Sequence, residues 1–573
     1  MDEPLQTVHW GRLQAVSDQQ RESFRTRDVL NRFWSKDLSL WAADPSQLTL
    51  IQNNLTWLEL PERLEPLLLE ISKATEDGLR DNLVDWVFLA LGSSSLAARA
   101  LLPLIELPTP RRFSVLDSSH PSSIRHLASK IDFPRSSFIL ANKAGDRLED
   151  LALFLYFQQL LSSATNSRVS QHFAAVTEKN SFLAGISHGY TFRASFLDPP
   201  NLRSSYCSLL HFGALLTGLS LIDPTGGMSG VRAMRLLCES HSAQNPALQM
   251  AVFLSSAAVA SCRYLVFLSL PSLAAYSNRL GHLISGSLAR DGCGLIAVSG
   301  DVPRTTEKYQ DHAAFVFLTV VSERDVEIEE KLEMFRSSGV PFVWIQIANV
   351  ADLLPETFKW EIAVALACAN LGFNPFEWPD IRQPRKIAMD LLEKLFANPR
   401  ALDRTPRLQE SGIQLFVEGR TRSEISNLNL LESMRSFFRL KEAGGFVVCF
   451  IFLERTPEVE NTLREIRGML MSKLGVPVVV HYGPRCLDQY SYLYRSGIPH
   501  TLQIVLTADY TVDLPVPGAN YTFAQLHMAL VLGEFESMIQ TGHPLIRLNL
   551  TGERDESLTN LTRLLAHALP RTA

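Results

Sequence analysis

The sequence has no basic leader followed by an apolar run. It starts Met1-Asp2-Glu3-Pro4, so no signal peptide is expected. It also lacks an apolar stretch of the roughly twenty residues that a membrane span needs. The longest such segment, Ala251 to Cys262, holds Ser255 and Ser256, is closed by Arg263 and reads as a buried helix. No CxxC pair occurs. The seven cysteines (Cys207, Cys238, Cys262, Cys293, Cys368, Cys449 and Cys486) are odd in number and scattered, which offers no metal site and points to reduced thiols in a cytoplasmic protein. There is no excess of positive charge: 54 Lys and Arg face 60 Asp and Glu, for a net charge of −6. That balance argues against a phosphate-backbone binder, and neither nucleic acid nor membrane is expected as a partner. Low-complexity tracts and short-period repeats are missing too, and 46% apolar residues exclude a largely disordered chain.

What is present is enough chain for three or four domains at about 100–200 residues each. Residues 1–80 read as a helical, Trp-rich segment, with Trp10, Trp34, Trp41 and Trp57 among leucines at helical spacing, as packing residues. Apolar strands then alternate with helices. Trp86–Leu91, Phe113–Leu116 and Ser137–Leu140 are the clearest strands of a domain over 81–235, with Ala174–Val176 and Ser195–Leu197 as shorter ones. Helices are expected over Leu96–Leu104 and Leu148–Leu161. Tyr264–Leu268, Leu295–Val298, Ala314–Leu318 and Val343–Ile347 restart the alternation in a domain over 236–400. Strands apolar on both faces, alternating with helices, predict an α/β fold with parallel sheets covered on both sides. A C-terminal α/β region over 401–573 shows Phe446–Phe452, the helix Pro457–Leu474 and Val478–His481. Gly226-Gly227-Met228-Ser229-Gly230 reads as a helix terminator and not a nucleotide loop, because no buried strand precedes it.

Ligands of open parallel sheets bind beyond the carboxyl ends of the strands. After the first strand comes Gly92-Ser93-Ser94-Ser95, whose helix-start N–H groups and hydroxyls suit a phosphate, or equally an N-cap. After the third comes Asn142-Lys143-Ala144-Gly145, with a cation that is either a ligand contact or a solvated lysine. In Ser118-Ser119-His120-Pro121, His120 reads as a loop-structuring residue.

In this order, Gly92-Ser93-Ser94-Ser95-Leu96-Ala97, Val115-Leu116-Asp117-Ser118-Ser119-His120-Pro121 and Asn142-Lys143-Ala144-Gly145 resemble glucose-6-phosphate isomerases. The nearest likeness is to the isomerase half of bacterial bifunctional transaldolase/glucose-6-phosphate isomerases. Phe33-Trp34-Ser35-Lys36-Asp37, Asn54-Leu55-Thr56-Trp57-Leu58, Asn374-Pro375-Phe376-Glu377-Trp378-Pro379, Tyr482-Gly483-Pro484-Arg485 and Asp513-Leu514-Pro515-Val516-Pro517-Gly518 extend it over about residues 30–550. The resemblance implies two sugar-isomerase (SIS) domains plus a C-terminal extension, and a sugar phosphate or phosphate as ligand. It implies no cofactor, and as assembly a homodimer or a complex with a carbohydrate-metabolism enzyme. By resemblance the substrate-binding candidates are Gly92, Ser93, Ser94, Ser95, Asn142, Lys143 and Arg203, and the catalytic candidates are Arg203, Glu377 and Arg385.

The chemical positions depart from the family. Aldose–ketose isomerisation needs a carboxylate to move a proton and a cation to stabilise the enediolate. The family's base would fall at Gly286, and no Asp or Glu occurs from Pro271 to Arg290. The phosphate loop has become Asn142-Lys143-Ala144-Gly145-Asp146-Arg147, losing hydroxyls and gaining Asp146. The family's His lands on Tyr494, whose ordinary pKa of about 10 makes a poor acid at pH 7. Its Lys becomes Arg385, which cannot transfer a proton; Arg495 also lies in the altered C-terminal motif. The expected function is thus an isomerase-like protein with a sugar-phosphate cleft and degenerate catalytic residues, weak or inactive. Two alternatives are an active isomerase with a relocated base, Glu377 or Asp488, and a non-catalytic partner of another carbohydrate enzyme. All three regions are expected to form one body with a cleft between the two α/β domains.

Overall fold

The computed structural model describes residues 5–41, 44–143, 147–165, 168–198, 204–260, 262–289, 294–300, 302, 310–376, 382–442, 444–483 and 501–570. The described strands form three sheets. The chain's first strand, β1 (Gln6–His9), lies within the segment read as helical. The first sheet holds β2 (Asp85–Leu89), β3 (Arg112–Leu116), β4 (Ser136–Ala141), β5 (Phe173–Glu178) and β6 (Ala194–Asp198), in the order 3-2-4-5-6. All its pairings are parallel.

The second sheet holds β7 (Tyr264–Ser269), β8 (Ile296–Val298), β9 (Ala313–Val320) and β10 (Phe342–Ile347), with β1 at its edge, in the order 1-10-9-7-8. Its core is parallel, and β1 pairs with β10 antiparallel. The third holds β11 (Leu408–Glu410), β12 (Ile413–Phe416), β13 (Phe446–Ile451), β14 (Val478–Tyr482), β15 (Thr501–Ala508) and β16 (Leu545–Leu550), ordered 11-12-16-15-13-14. Here β13, β14, β15 and β16 are parallel, whereas β11 and β12 are antiparallel additions.

Side chains of a strand alternate between its faces, and here the alternation splits the first two sheets between two cores, whereas the third sheet joins only one of them. Val87 and Leu89 join Tyr264, Val266 and Phe450 in one apolar cluster, which reaches all three sheets. Phe88 and Ala90 join Leu265, Phe267, Trp57 and Trp360 in the other. Shared cores of this kind make the three regions one body, as expected. The helix Leu353–Leu371 is buried on almost every side, which explains its nearly unbroken apolar sequence. The N-terminal segment wraps it: Trp41 Nε1 donates to the carbonyl of Ala365 at 3.1 Å, and the Trp57 ring lies 5.7 Å from Phe358.

Two readings need correction. Residues 6–9 are a strand: four residues are too few to show a period, and the pairing edge of β10 is out of reach of local pattern. Gly226–Gly230 does not end a helix but lies in the first turns of one, Pro224–Glu239. Asp223 caps it by accepting from Gly226 N at 2.7 Å, and Pro224 sits at its start. That opening outweighs the cost of the glycines.

Candidate functional site

Strand β2 delivers the chain to Gly92, which sits at φ 108°, ψ −150°, a conformation open essentially to glycine alone. The helix Ser93–Leu101 starts there, with no side chain capping it. The hydroxyl of Ser95 donates to Gly92 O at 2.7 Å and that of Ser94 to Ala141 O at 3.3 Å. Both hydroxyl protons are therefore used on carbonyls. What this helix start offers an anion is its first-turn backbone N–H groups and the positive end of its dipole. The Ser94 contact also joins the Gly92 loop to the chain leaving β4, so Gly92–Ser95 and Asn142–Lys143 do meet.

The described residues of the second loop, Asn142 and Lys143, have partners within the chain. Asn142 Nδ2 donates to Asp150 Oδ2 at 2.5 Å. Asp150 lies in the first turn of the helix Leu148–Ala164, where burial pushes its carboxyl up to about 7. Lys143 Nζ lies 3.4 Å from Glu178 Oε1, at the end of β5, and 3.5 Å from the Cys207 thiol. Burial raises that thiol to about 11, so it is not a thiolate nucleophile.

Arg385 stands on the helix Arg382–Ala397 and meets Glu149 Oε2 at 3.3 Å. It joins the acidic start of the Leu148 helix. Gly286 lies within the continuous helix Ala274–Leu288, and its neighbour Ser287 has its hydroxyl 3.2 Å from that of Tyr206. Arg203 and Glu377 lie outside the described residues, as do Asp146, Arg485, Asp488, Tyr494 and Arg495. His120 caps the helix Pro121–Ala128: its Nδ1 accepts from Ser122 N at 3.3 Å, and burial lowers the ring to about 4, as suits a loop-structuring residue.

Sequence reasoning missed a group of buried ionisable side chains behind Lys143. Asp198, at the end of β6, is pushed up to about 6 by burial, against the pull of Lys143. Glu361 sits on the Leu353 helix, is pushed up to about 7 by burial, and accepts from Ser208 N at 2.9 Å. Arg279 donates to Ser205 O at 2.8 Å and to the Ser208 hydroxyl. Burial and the charges of Arg279 and Lys143 hold His211 down at about 3. Two signals could have found them: Glu178 and Asp198 end strands legible in the sequence, and Glu361 interrupts an apolar helical run. Asp198 is 4% exposed and Glu361 is 0%. Both are buried in this conformation.

No protein-family model matches the chain. It is similar in sequence to the glucose-6-phosphate isomerase of Leptospira interrogans, 21% identical over 390 residues that span 59% of this chain and 87% of that protein. The isomerase of Staphylococcus saprophyticus is 24% identical over 397 residues, with the same coverage of each chain. Among solved structures, a hypothetical protein from Thermus thermophilus superposes with a TM-score of 0.57 at 16% identity, over 67% of this chain and 99% of that one, a likeness of fold. A glucose-6-phosphate isomerase from Chlamydia trachomatis gives a TM-score of 0.48 at 14% identity, over 59% and 74%.

Proposed function

We propose that this chain, a distant relative of glucose-6-phosphate isomerases, holds a phosphorylated sugar at the start of the Ser93 helix and isomerises it very slowly or not at all. The observation that carries the reading is a contrast between two helices. The Ser93 helix keeps an uncapped N-terminus behind a glycine in a glycine-only conformation. The Ala274 helix has Gly286 where the family's base would stand, and no carboxylate along its length. Backbone donors survive side-chain change, so anion binding outlasts chemistry. Absence of a positioned base costs about 10²–10⁴-fold in rate.

A coupled assay for glucose 6-phosphate isomerisation on the purified protein tests this. Turnover below about 0.1 s⁻¹ is expected; an ordinary value, about 10 s⁻¹ or more, would sink the reading. Calorimetry with glucose 6-phosphate should find a dissociation constant in the millimolar range, about −4 kcal/mol.

One observation favours a second reading. Asn142 and Lys143 are engaged by Asp150, Glu178 and Cys207. If no sugar phosphate binds at millimolar concentration, the chain is a non-catalytic partner of another carbohydrate enzyme. The reading is of a cytoplasmic protein, and the odd number and wide scatter of the cysteines in the sequence support it. Among the described residues, no helix is long and apolar enough to cross a membrane.

A further inference from the structure

The Ser93 and Ala274 helices pack together in opposite directions. The turn Leu102–Leu104, after the first, meets the turn Pro271–Leu273, before the second. At one end of the pair lie Gly92–Ser95 and Gly286, the site discussed above. At the other end is a cavity of about 520 Å³, bounded by residues of all three domains. It is a different place, and what is argued for it does not depend on the sugar-phosphate reading.

Strand ends from two sheets converge there. Strand β7 runs out towards Pro271, and β8 leads into Ser299 and Gly300, all of which line the cavity. In the third sheet β13 leads to Arg455, and β14 ends on Tyr482. The carboxyl ends of strands are where open α/β sheets bind ligands, and here two such edges face one space. The volume lies within the ordinary range for small-molecule sites, about 300–1,000 Å³.

The lining is strongly cationic. Arg99, Arg455, Arg464 and Arg467 face the cavity, against Glu460 as its one described acidic lining residue. Three of the guanidiniums are held in place. Arg99 forks onto Asp117 at 2.6 and 3.2 Å. Arg455 pairs with Glu460 and lies 4.7 Å over the Tyr482 ring. Arg467 donates to Val478 O at 2.9 Å and to Ser299 O at 3.1 Å, and so crosses from the third domain to the second. Arg464 donates to Asn461 Oδ1 at 2.9 Å from the exposed side of the helix Pro457–Leu474. With the Asp117 and Glu460 charges counted in, the cavity still carries an excess of positive charge, from Arg464 and Arg467 on the helix Pro457–Leu474. Guanidinium forks suit phosphate oxygens, and fixed ones lose little freedom on binding.

We infer that this cavity binds a small metabolite carrying two phosphate groups, spread across guanidiniums from different domains. A monophosphate would engage only part of the lining. A ligand seated on Arg99, Arg464 and Arg467 together would bridge the first and third domains, and Arg467 already reaches the second through Ser299.

Calorimetry on the full chain with inorganic pyrophosphate and, separately, inorganic phosphate is the test. Pyrophosphate should bind about tenfold or more tightly than phosphate. Arg464→Glu, at an exposed position, should weaken pyrophosphate at least about tenfold. Ala275→Trp fills the cavity without changing a charge and should abolish binding. Gly92→Ala, at the far end of the helix pair, should leave pyrophosphate affinity within about twofold. The inference is overturned if pyrophosphate gives no heat at millimolar concentration, or if Arg464→Glu and Ala275→Trp bind as the parent does. It is equally overturned if binding is lost in Gly92→Ala and kept in Arg464→Glu, which would assign the anion to the other site.

Discussion

Asn142 and Asp150 are both buried, and the amide of the first donates to the carboxyl of the second at 2.5 Å. In this chain the loop after β4 therefore carries its own acid at the helix start where the family resemblance would put a phosphate. An ionised Asp150 would complement the helix dipole, but burial outweighs that and holds the carboxyl up at about 7. The pair ties the end of β4 to the first turn of the Leu148 helix and commits the Asn142 amide to a partner within the chain.

A raised carboxyl pKa has a definite sign. Asp150 titrates at about 7 when folded and near its ordinary value of 3.8 when unfolded. Its stabilising contribution is therefore complete below pH 3.8 and lost as pH rises through 7. Glu361, at about 7, and Asp198, at about 6, add the same slope. Buried His120 and His211, lowered to about 4 and 3, act the other way and remove stability as pH falls below 6.5. Asp150→Asn keeps an acceptor for Asn142 and removes the titration. It should raise the melting temperature by on the order of a few degrees more at about pH 8, above both pKa values, than at about pH 5, where only part of the contribution is lost. An equal shift at both pH values would show that Asp150 does not titrate in this range.

Gly92→Ala should cost about 1–3 kcal/mol, because an L side chain is strained at φ 108°, ψ −150°. The same change should weaken sugar-phosphate binding by shifting the first turn of the Ser93 helix. Denaturant melts and calorimetry measure the two effects. An alanine variant as stable as the parent would remove the argument that this turn is built around glycine.

Asp146→Thr should tighten phosphate binding several-fold. From sequence alone, it removes an anion from the loop and restores a hydroxyl. Calorimetry with inorganic phosphate on both proteins decides it, and unchanged or weaker binding in the threonine variant counts against a ligand at this loop.

Trp57→Ala should destabilise the fold by about 3–5 kcal/mol, the usual cost of deleting a large buried ring. Trp57 is 0% exposed and lies 5.4 Å from Tyr206 and 5.7 Å from Phe358, so it ties the N-terminal segment to Tyr206 and to the helix Leu353–Leu371. A loss under about 1 kcal/mol in denaturant would mean that the segment docks without that ring.

Legibility in the sequence followed the range of the interactions. The strands β2, β4, β7, β9 and β13 stood out as continuous apolar runs, because a parallel sheet buries both faces. The strand β1 did not, since its partner β10 lies more than three hundred residues away. The strands β11 and β12 are short, and the one local mark of their pairing is the turn Ser411-Gly412, where both residues have positive φ. At the candidate site, Gly92 and the serines were legible because a turn and a helix start are local events. The orientation of Lys143 towards Glu178 and Cys207 was not, because it depends on the end of β5 and on a loop sixty residues on. The ion pair of Arg385 was not legible for the same reason: its partner Glu149 lies on another helix.

The pairing of β1 with β10 also bears on how the chain is made. Residues 6–9 leave the ribosome long before Phe342–Ile347 exist, whereas every strand of the first sheet is complete by residue 198. The first sheet can close while synthesis continues. The second must wait with its opening strand in hand, and at typical elongation rates that wait is on the order of tens of seconds. Throughout that interval the apolar surface meant for the shared core is available to anything in reach. The order of synthesis thus leaves the last-closing edge of the second sheet as the point where a chaperone, or a neighbouring nascent chain, would first find it.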